Sequence, residues 1–187
     1  MTIIRTGDLL LRPIRDDDAP RFAELCNDID IARNTARIGH PYRLEDARAF
    51  VKYASEAIAA GTEYPLAVCD DDEIIACAGV SKKGDSVYEL GYWVGAPYRR
   101  RGVATAAGLA AVQFAFLTLG AKQAISGYFR DNPASGRVLK RIGFVPTGES
   151  VTMASVARGR DVETVRLSLP RDAFQMRRDI VIEELAN

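Results

Sequence analysis

The chain has 187 residues, 48% hydrophobic and 27% charged, which suits a globular protein with one good-sized core. No apolar run approaches the ~20 residues that span a bilayer, and Met1–Asp8 lacks the basic-then-apolar plan of a signal peptide. Formal charge balances at zero, yet residues 1–93 hold 11 basic and 17 acidic side chains while residues 94–187 hold 14 and 8.

The gradient is steepest over Val94–Pro146, where eight basic residues face only Asp131. Solvated helix faces account for such runs, and so does a compact anionic ligand. The chain has no long basic stripe, arm or zinc-finger pattern, so neither nucleic acid nor a membrane is an expected partner. Cys26, Cys69 and Cys77 are odd in number and have no metal-ligand spacing. They predict reduced, apolar thiols in a cytoplasmic protein, and no metal centre.

In chain order, Asp8–Ile14 reads as a first strand, with Pro13 at its end or at a sheet edge. Asp16, Asp17 and Asp18 offer capping carboxylates before an apolar helix carrying Phe22, Leu25 and Cys26. Asp28–Tyr42 has no clear period and predicts a loop with a short helical turn. Apolar residues from Ala47 to Ile58 recur at three- and four-residue steps, an amphipathic helix over Glu45–Ala60 stopped by Gly61. Tyr64–Cys69, Glu73–Ser81 and Ser86–Gly95 then form a three-stranded antiparallel meander. Gly102–Leu119 is helix and Lys122–Phe129 strand. Asn132-Pro133 opens a further helix that Gly143 ends. Phe144–Glu149 and Asp161–Leu169 are the final strands, and Ala173–Leu185 is expected as a terminal helix. No repeat or linker divides the chain, so residues 1–187 predict a single mixed α/β domain.

Tyr88–Thr105 carries the chemistry. A strand with one acid, Glu89, runs into a Pro turn, and Arg99, Arg100, Arg101 and Gly102 then open an alanine-rich helix. A helix N-terminus has free N–H groups and the positive end of its dipole, which together suit a phosphate. Gly102 permits close backbone approach, and the N–H groups around Arg101, Val103, Ala104 and Thr105 converge there. A plain basic helix start is the bland alternative. The patterns that bind nucleoside triphosphates or dinucleotides are missing.

Arg99-Arg100-Arg101-Gly102-Val103-Ala104 resembles the Arg/Gln-x-x-Gly-x-Gly/Ala signature of the GNAT superfamily of N-acetyltransferases. Strand before, helix after, Asn132-Pro133-Ala134-Ser135 and Lys140-Arg141-Ile142-Gly143-Phe144 resemble the Rim-type branch, relatives of RimJ and RimL. The resemblance implies a twisted mixed sheet of about seven strands with about four helices, the central parallel strands splaying into a V. It further implies an enzyme that moves acetyl from acetyl-CoA to a primary amine by direct attack in a ternary complex. The acceptor is a protein N-terminal α-amine or a small-molecule amine, and a non-catalytic acyl-CoA-binding domain is the rival from another class.

By the same resemblance the turn holds the coenzyme A pyrophosphate, and backbone near Trp93 and Val94 pairs with the pantetheine arm. The Val94 N–H polarises the thioester carbonyl, as an oxyanion-hole donor does. Glu89 matches the position of a catalytic base, either directly or through water. An ion-paired strand carboxylate is the plain alternative. Asn132 caps its helix and touches the cofactor arm. Where many members carry a tyrosine acid, seven residues after Asn132, this chain has Leu139. Ser135 is therefore the candidate donor to the departing thiolate. No histidine pairs with a cysteine in a recognisable pattern, which disfavours a covalent route. His40 reads as surface or acceptor-pocket lining, and dimerisation through the final strands is an open expectation.

Overall fold

Runs rich in β-branched and aromatic residues, broken by Asp- and Gly-containing turns, pair into one sheet. The computed structural model describes residues 2–184. Its strands are β1 (Thr2–Thr6), β2 (Leu9–Pro13), β3 (Glu63–Asp70), β4 (Glu73–Gly84), β5 (Val87–Val94), β6 (Gln123–Phe129), β7 (Val145–Ser155), β8 (Arg160–Pro170) and β9 (Ile180–Glu184). They lie in the order β7-β8-β6-β5-β4-β3-β2-β1-β9. The pairing is antiparallel throughout except between β5 and β6, which run parallel.

Helices cover both faces. Those numbered α1 (Ala19–Cys26) and α3 (Leu44–Ala60) bury Phe22, Leu25, Ala47, Val51 and Ala54 against Ala67, Cys69, Ile74 and Cys77. Between them, α2 (Ile29–Arg33) is the helical turn expected in the 28–42 segment. On the other face, α4 (Val103–Leu117) and α5 (Pro133–Ile142) complete the larger core with Leu90, Leu139, Ile142 and Phe144. From Ala110 to Phe116 every residue of α4 is buried. Its alanines, and Gly108 beneath Ile142, let it lie close to sheet and α5 alike. Among the described residues no helix is long and apolar enough to cross a membrane.

The α/β class matches expectation, with nine strands and five helices among the described residues rather than about seven and four. Thr2–Thr6 is an additional strand, and the terminal helix expected over Ala173–Leu185 is corrected to a 3₁₀ turn (Arg171–Ala173) followed by β9, Leu185 lying outside the described residues. Buried Gln113 explains the difference. Its amide donates to Arg177 O at 3.0 Å and accepts from Arg177 N–H at 2.7 Å. Phe174 packs on Phe116 with ring centroids 5.3 Å apart. These anchors extend the backbone and deliver β9 to β1, where an amphipathic helix would find no uncovered core.

Asp18 does more than cap a helix. Its two carboxylate oxygens accept from Arg12 at 2.7 and 2.8 Å, and one also accepts the Arg15 N–H at 2.7 Å. The pair is nearly sealed, with side-chain exposures of 11% and 6%. Removing one member strands a buried charge, so Arg12→Ala is expected to cost about 3–5 kcal/mol. Urea denaturation checks this, and a loss below ~1 kcal/mol would put the pair in the surface class.

Candidate active site

The parallel pairing of β5 and β6 is short: Val87, Tyr88 and Glu89 pair with Gln123, Ala124 and Ile125, and nothing pairs beyond them. β5 stays paired with β4 up to Val94, and β6 with β8 up to Phe129. Each arm is held from outside while the inner edges diverge, which is the V-shaped opening that the family resemblance implies. Ser126 Oγ closes its apex by donating to Leu90 O at 3.0 Å.

Ladder geometry fixes which backbone groups face the opening. Gly95 N–H donates to Ile75 O at 2.9 Å, which directs Gly95, Trp93 and Gly91 towards β4. Alternation then turns Leu90, Tyr92 and Val94 towards the gap. Val94 O accepts from Arg99 Nε at 3.1 Å, and its N–H faces the same opening. Backbone access therefore falls on Tyr92 and Val94 rather than on Trp93. The indole of Trp93 packs edge-on to Phe22 on the α1/α3 face at 5.6 Å.

At the mouth of the V the chain makes a 3₁₀ turn (Ala96–Tyr98) and reverses through Arg100, at φ 63°, and Gly102, at φ 82°. These two left-handed residues turn the chain sharply into the start of α4, whose free N–H groups and positive dipole end suit an anion. The arginine carries the strain that a non-glycine residue meets there, about 1 kcal/mol. Thr105 N–H is spent on Gly102 O at 3.0 Å. That leaves the N–H groups of Gly102, Val103 and Ala104 directed out of the helix end. The three arginines also divide. Arg99 is held by Asp28, with Asp30 at 3.7 Å, so it fastens α2 to the end of β5 and adds little free charge. Arg100 and Arg101 are exposed, Arg101 lying 5.6 Å from the centre of the Tyr98 ring.

Asn132 caps α5 by accepting Ser135 N–H at 3.4 Å, with Pro133 at the first helical position and Gly143 ending the helix at φ 115°. Leu139 is fully buried in the core and supplies no polar group. Ser135 Oγ instead lies 2.8 Å from the hydroxyl of Tyr92, which reaches over from the opposite arm of the V. Burial pushes the Tyr92 phenol up to about 12, with the Ser135 hydrogen bond opposing. In sequence Tyr92 reads as core, since a strand aromatic shows nothing of what its hydroxyl meets.

Glu89 is the last residue of β5 to pair with β6 and points to the α1/α3 face, opposite Tyr92 and Ser135. Its carboxylate accepts from Arg166 Nη1 at 2.7 Å and faces Lys83 Nζ at 3.3 Å. Arg166, 77 residues away on β8, carries no sequence signal for this contact. The same face is bounded by the 34–42 segment, which the β7–β8 hairpin holds down. Val156 N–H donates to Ala36 O at 3.0 Å and Arg158 Nε to Arg33 O at 2.7 Å, while Arg158 also grips Asp131 at 2.7 Å. The Arg158 guanidinium keeps the Asp131 carboxyl below its usual range. His40 sits exposed in this segment. All three cysteines are free and buried, and burial drives the Cys26 and Cys77 thiols well above their usual range, so neither supplies a thiolate nucleophile.

A family model described as an acetyltransferase (GNAT) domain matches residues 8–145. The chain belongs to that family and is an acetyltransferase. Among solved structures, RimJ of Mycobacterium smegmatis in complex with CoA-disulfide superposes with a TM-score of 0.79 at 18% identity, over 92% of this chain and 88% of its own. The ribosomal-protein-S5-alanine acetyltransferase of Vibrio fischeri gives 0.78 at 18% identity over 93% and 99%. The microcin C7 self-immunity acetyltransferase MccE, in complex with acetyl-CoA and AMP, gives 0.77 at 18% identity over 88% and 93%. At these identities the likeness is one of fold.

Proposed function

We propose that residues 1–187 act as one cytoplasmic N-acetyltransferase unit that passes acetyl from acetyl-CoA to the α-amine of a protein or peptide N-terminus. The observation that carries the reading is the opening itself. Val94 N–H faces into the V, an anion-binding turn stands at its mouth, and hydroxyl donors lie on one face with a carboxylate on the other. The turn takes the pyrophosphate through Gly102, Val103 and Ala104, with Arg100 and Arg101 adding charge. Asn132 flanks the arm, and the thioester lies between Val94 and Ser135. The amine enters from the Glu89 face, loses its proton to Glu89 or through water, and attacks the carbonyl. The C–S bond then breaks, with its electron pair on sulfur.

Magnitudes favour an α-amine. It titrates near ~8, against ~10.4 for lysine, so near neutral pH a far larger share arrives as the free base. The S5-alanine enzyme, whose name specifies a protein acceptor, adds support. MccE, crystallised with AMP, keeps a small-molecule amine as the second reading.

The test is a mass shift of +42 Da on peptides with free alanine or serine N-termini, N-blocked peptides bearing one lysine, and a polyamine. Acetylation confined to free N-termini is expected. Modification of the polyamine or lysine alone would overturn the acceptor assignment. Thermal stabilisation by coenzyme A without transfer to any amine would favour the binding-domain rival.

A further inference from the structure

Two hydroxyls from opposite arms of the V meet at 2.8 Å, and their order of donation is set by what binds between the arms. The Tyr92 phenol comes from β5 and Ser135 from the first turn of α5, so the contact bridges the opening on the α4/α5 face. Tyr92 O–H has a second acceptor in Ser135 O at 3.3 Å, so both of its options end on the same residue. Each hydroxyl can donate one proton and accept. A departing thiolate only accepts. Once sulfur occupies the site, the arrangement that satisfies all three groups runs from Tyr92 to Ser135 to sulfur.

We propose that Tyr92 is a positioning residue for thiol release, its phenol donating to Ser135 Oγ and so turning the Ser135 proton towards the sulfur of the departing coenzyme A. This rests on the reading above that Ser135 faces the thioester. The C–S electron pair stays on sulfur, where the Ser135 O–H stabilises it by hydrogen bonding. The amine proton leaves by Glu89 or water, and no proton leaves Tyr92. A phenol pushed up to about 12 keeps its proton beside a thiolate whose conjugate acid titrates near ~8.5, so Tyr92 orients rather than serving as the acid. A donor chain of this kind also strengthens its last member by polarisation.

Tyr92→Phe keeps the ring that packs against the α4/α5 core and removes only the hydroxyl. The measurement is thiol release from acetyl-CoA, using the amine that the wild-type chain acetylates fastest in the panel above. Loss of one oriented hydrogen bond predicts a kcat about tenfold lower, with KM for acetyl-CoA within about twofold and little change in thermal midpoint. Ser135→Ala is expected to lower kcat by at least as much. The double variant is expected to be no slower than Ser135→Ala alone, because Tyr92 acts only through Ser135. If Ser135→Ala lowers kcat while Tyr92→Phe does not, or if the two effects multiply, the positioning role fails and the Ser135 assignment survives. If neither variant lowers kcat, both fail.

Discussion

Gly79→Ala is expected to lose about 3 kcal/mol of stability or more, a fall of roughly 6–12 °C in thermal midpoint for a chain of this length. A Cβ at this position would stand 2.3 Å from Tyr64 O and 2.8 Å from Pro65 Cα. Both are backbone atoms of β3, so no side-chain rotation relieves the clash. The strands would have to part where eight register pairs hold β3 to β4 in the middle of the sheet. Gly91, the cross-strand partner of Gly79 on β5, is the control. A Cβ there meets nothing within 4 Å, and Gly→Ala inside a strand recovers roughly 0.5–1 kcal/mol of chain entropy. Gly91→Ala is therefore expected to be neutral or slightly stabilising. Equal stability of the two variants in urea would show that the close β3–β4 approach is not the constraint described.

Gly79 also marks what a linear reading does and does not reach. Gly102 and Gly143 are legible because each ends or begins a helix with a local sequence pattern, and both adopt the positive φ that their places require. Gly79 sits in an unbroken β-like run, and its reason is the backbone of another strand. The meander, α3, α4 and α5 follow from periodicity and caps. The pairing of β1 with β9 joins the two ends of the described chain, and short runs such as Ile180–Glu184 declare themselves only when a partner edge is present. The site divides similarly. Val94, Gly102, Asn132 and Ser135 lie where motif and element order put them. Tyr92 and Arg166 take their significance from contacts across the V and across the sheet. Arg99 is drawn away from the expected anion by Asp28 and Asp30, acids in a segment that reads as irregular.

Glu89→Gln is expected to lower kcat by about 10²-fold or more near neutral pH, in the range set by loss of a general base. KM for acetyl-CoA should be unchanged, since Glu89 points to the face opposite Tyr92 and Ser135. The competing account is that Glu89 merely holds Arg166 and Lys83 in place. The two accounts differ in pH dependence. A base is needed only while the acceptor arrives as ammonium, so the deficit of Glu89→Gln should narrow as pH climbs through the α-amine value near ~8 and more amine comes already neutral. A structural role predicts a deficit that stays constant with pH and a matching loss of thermal stability. Arg166→Met separates them further. It removes the 2.7 Å ion pair while leaving the carboxylate, so a base at Glu89 should keep much of its activity. If Arg166→Met instead reproduced Glu89→Gln in size and in flat pH dependence, the ion pair would be the essential unit, and proton acceptance would pass to water in the opening.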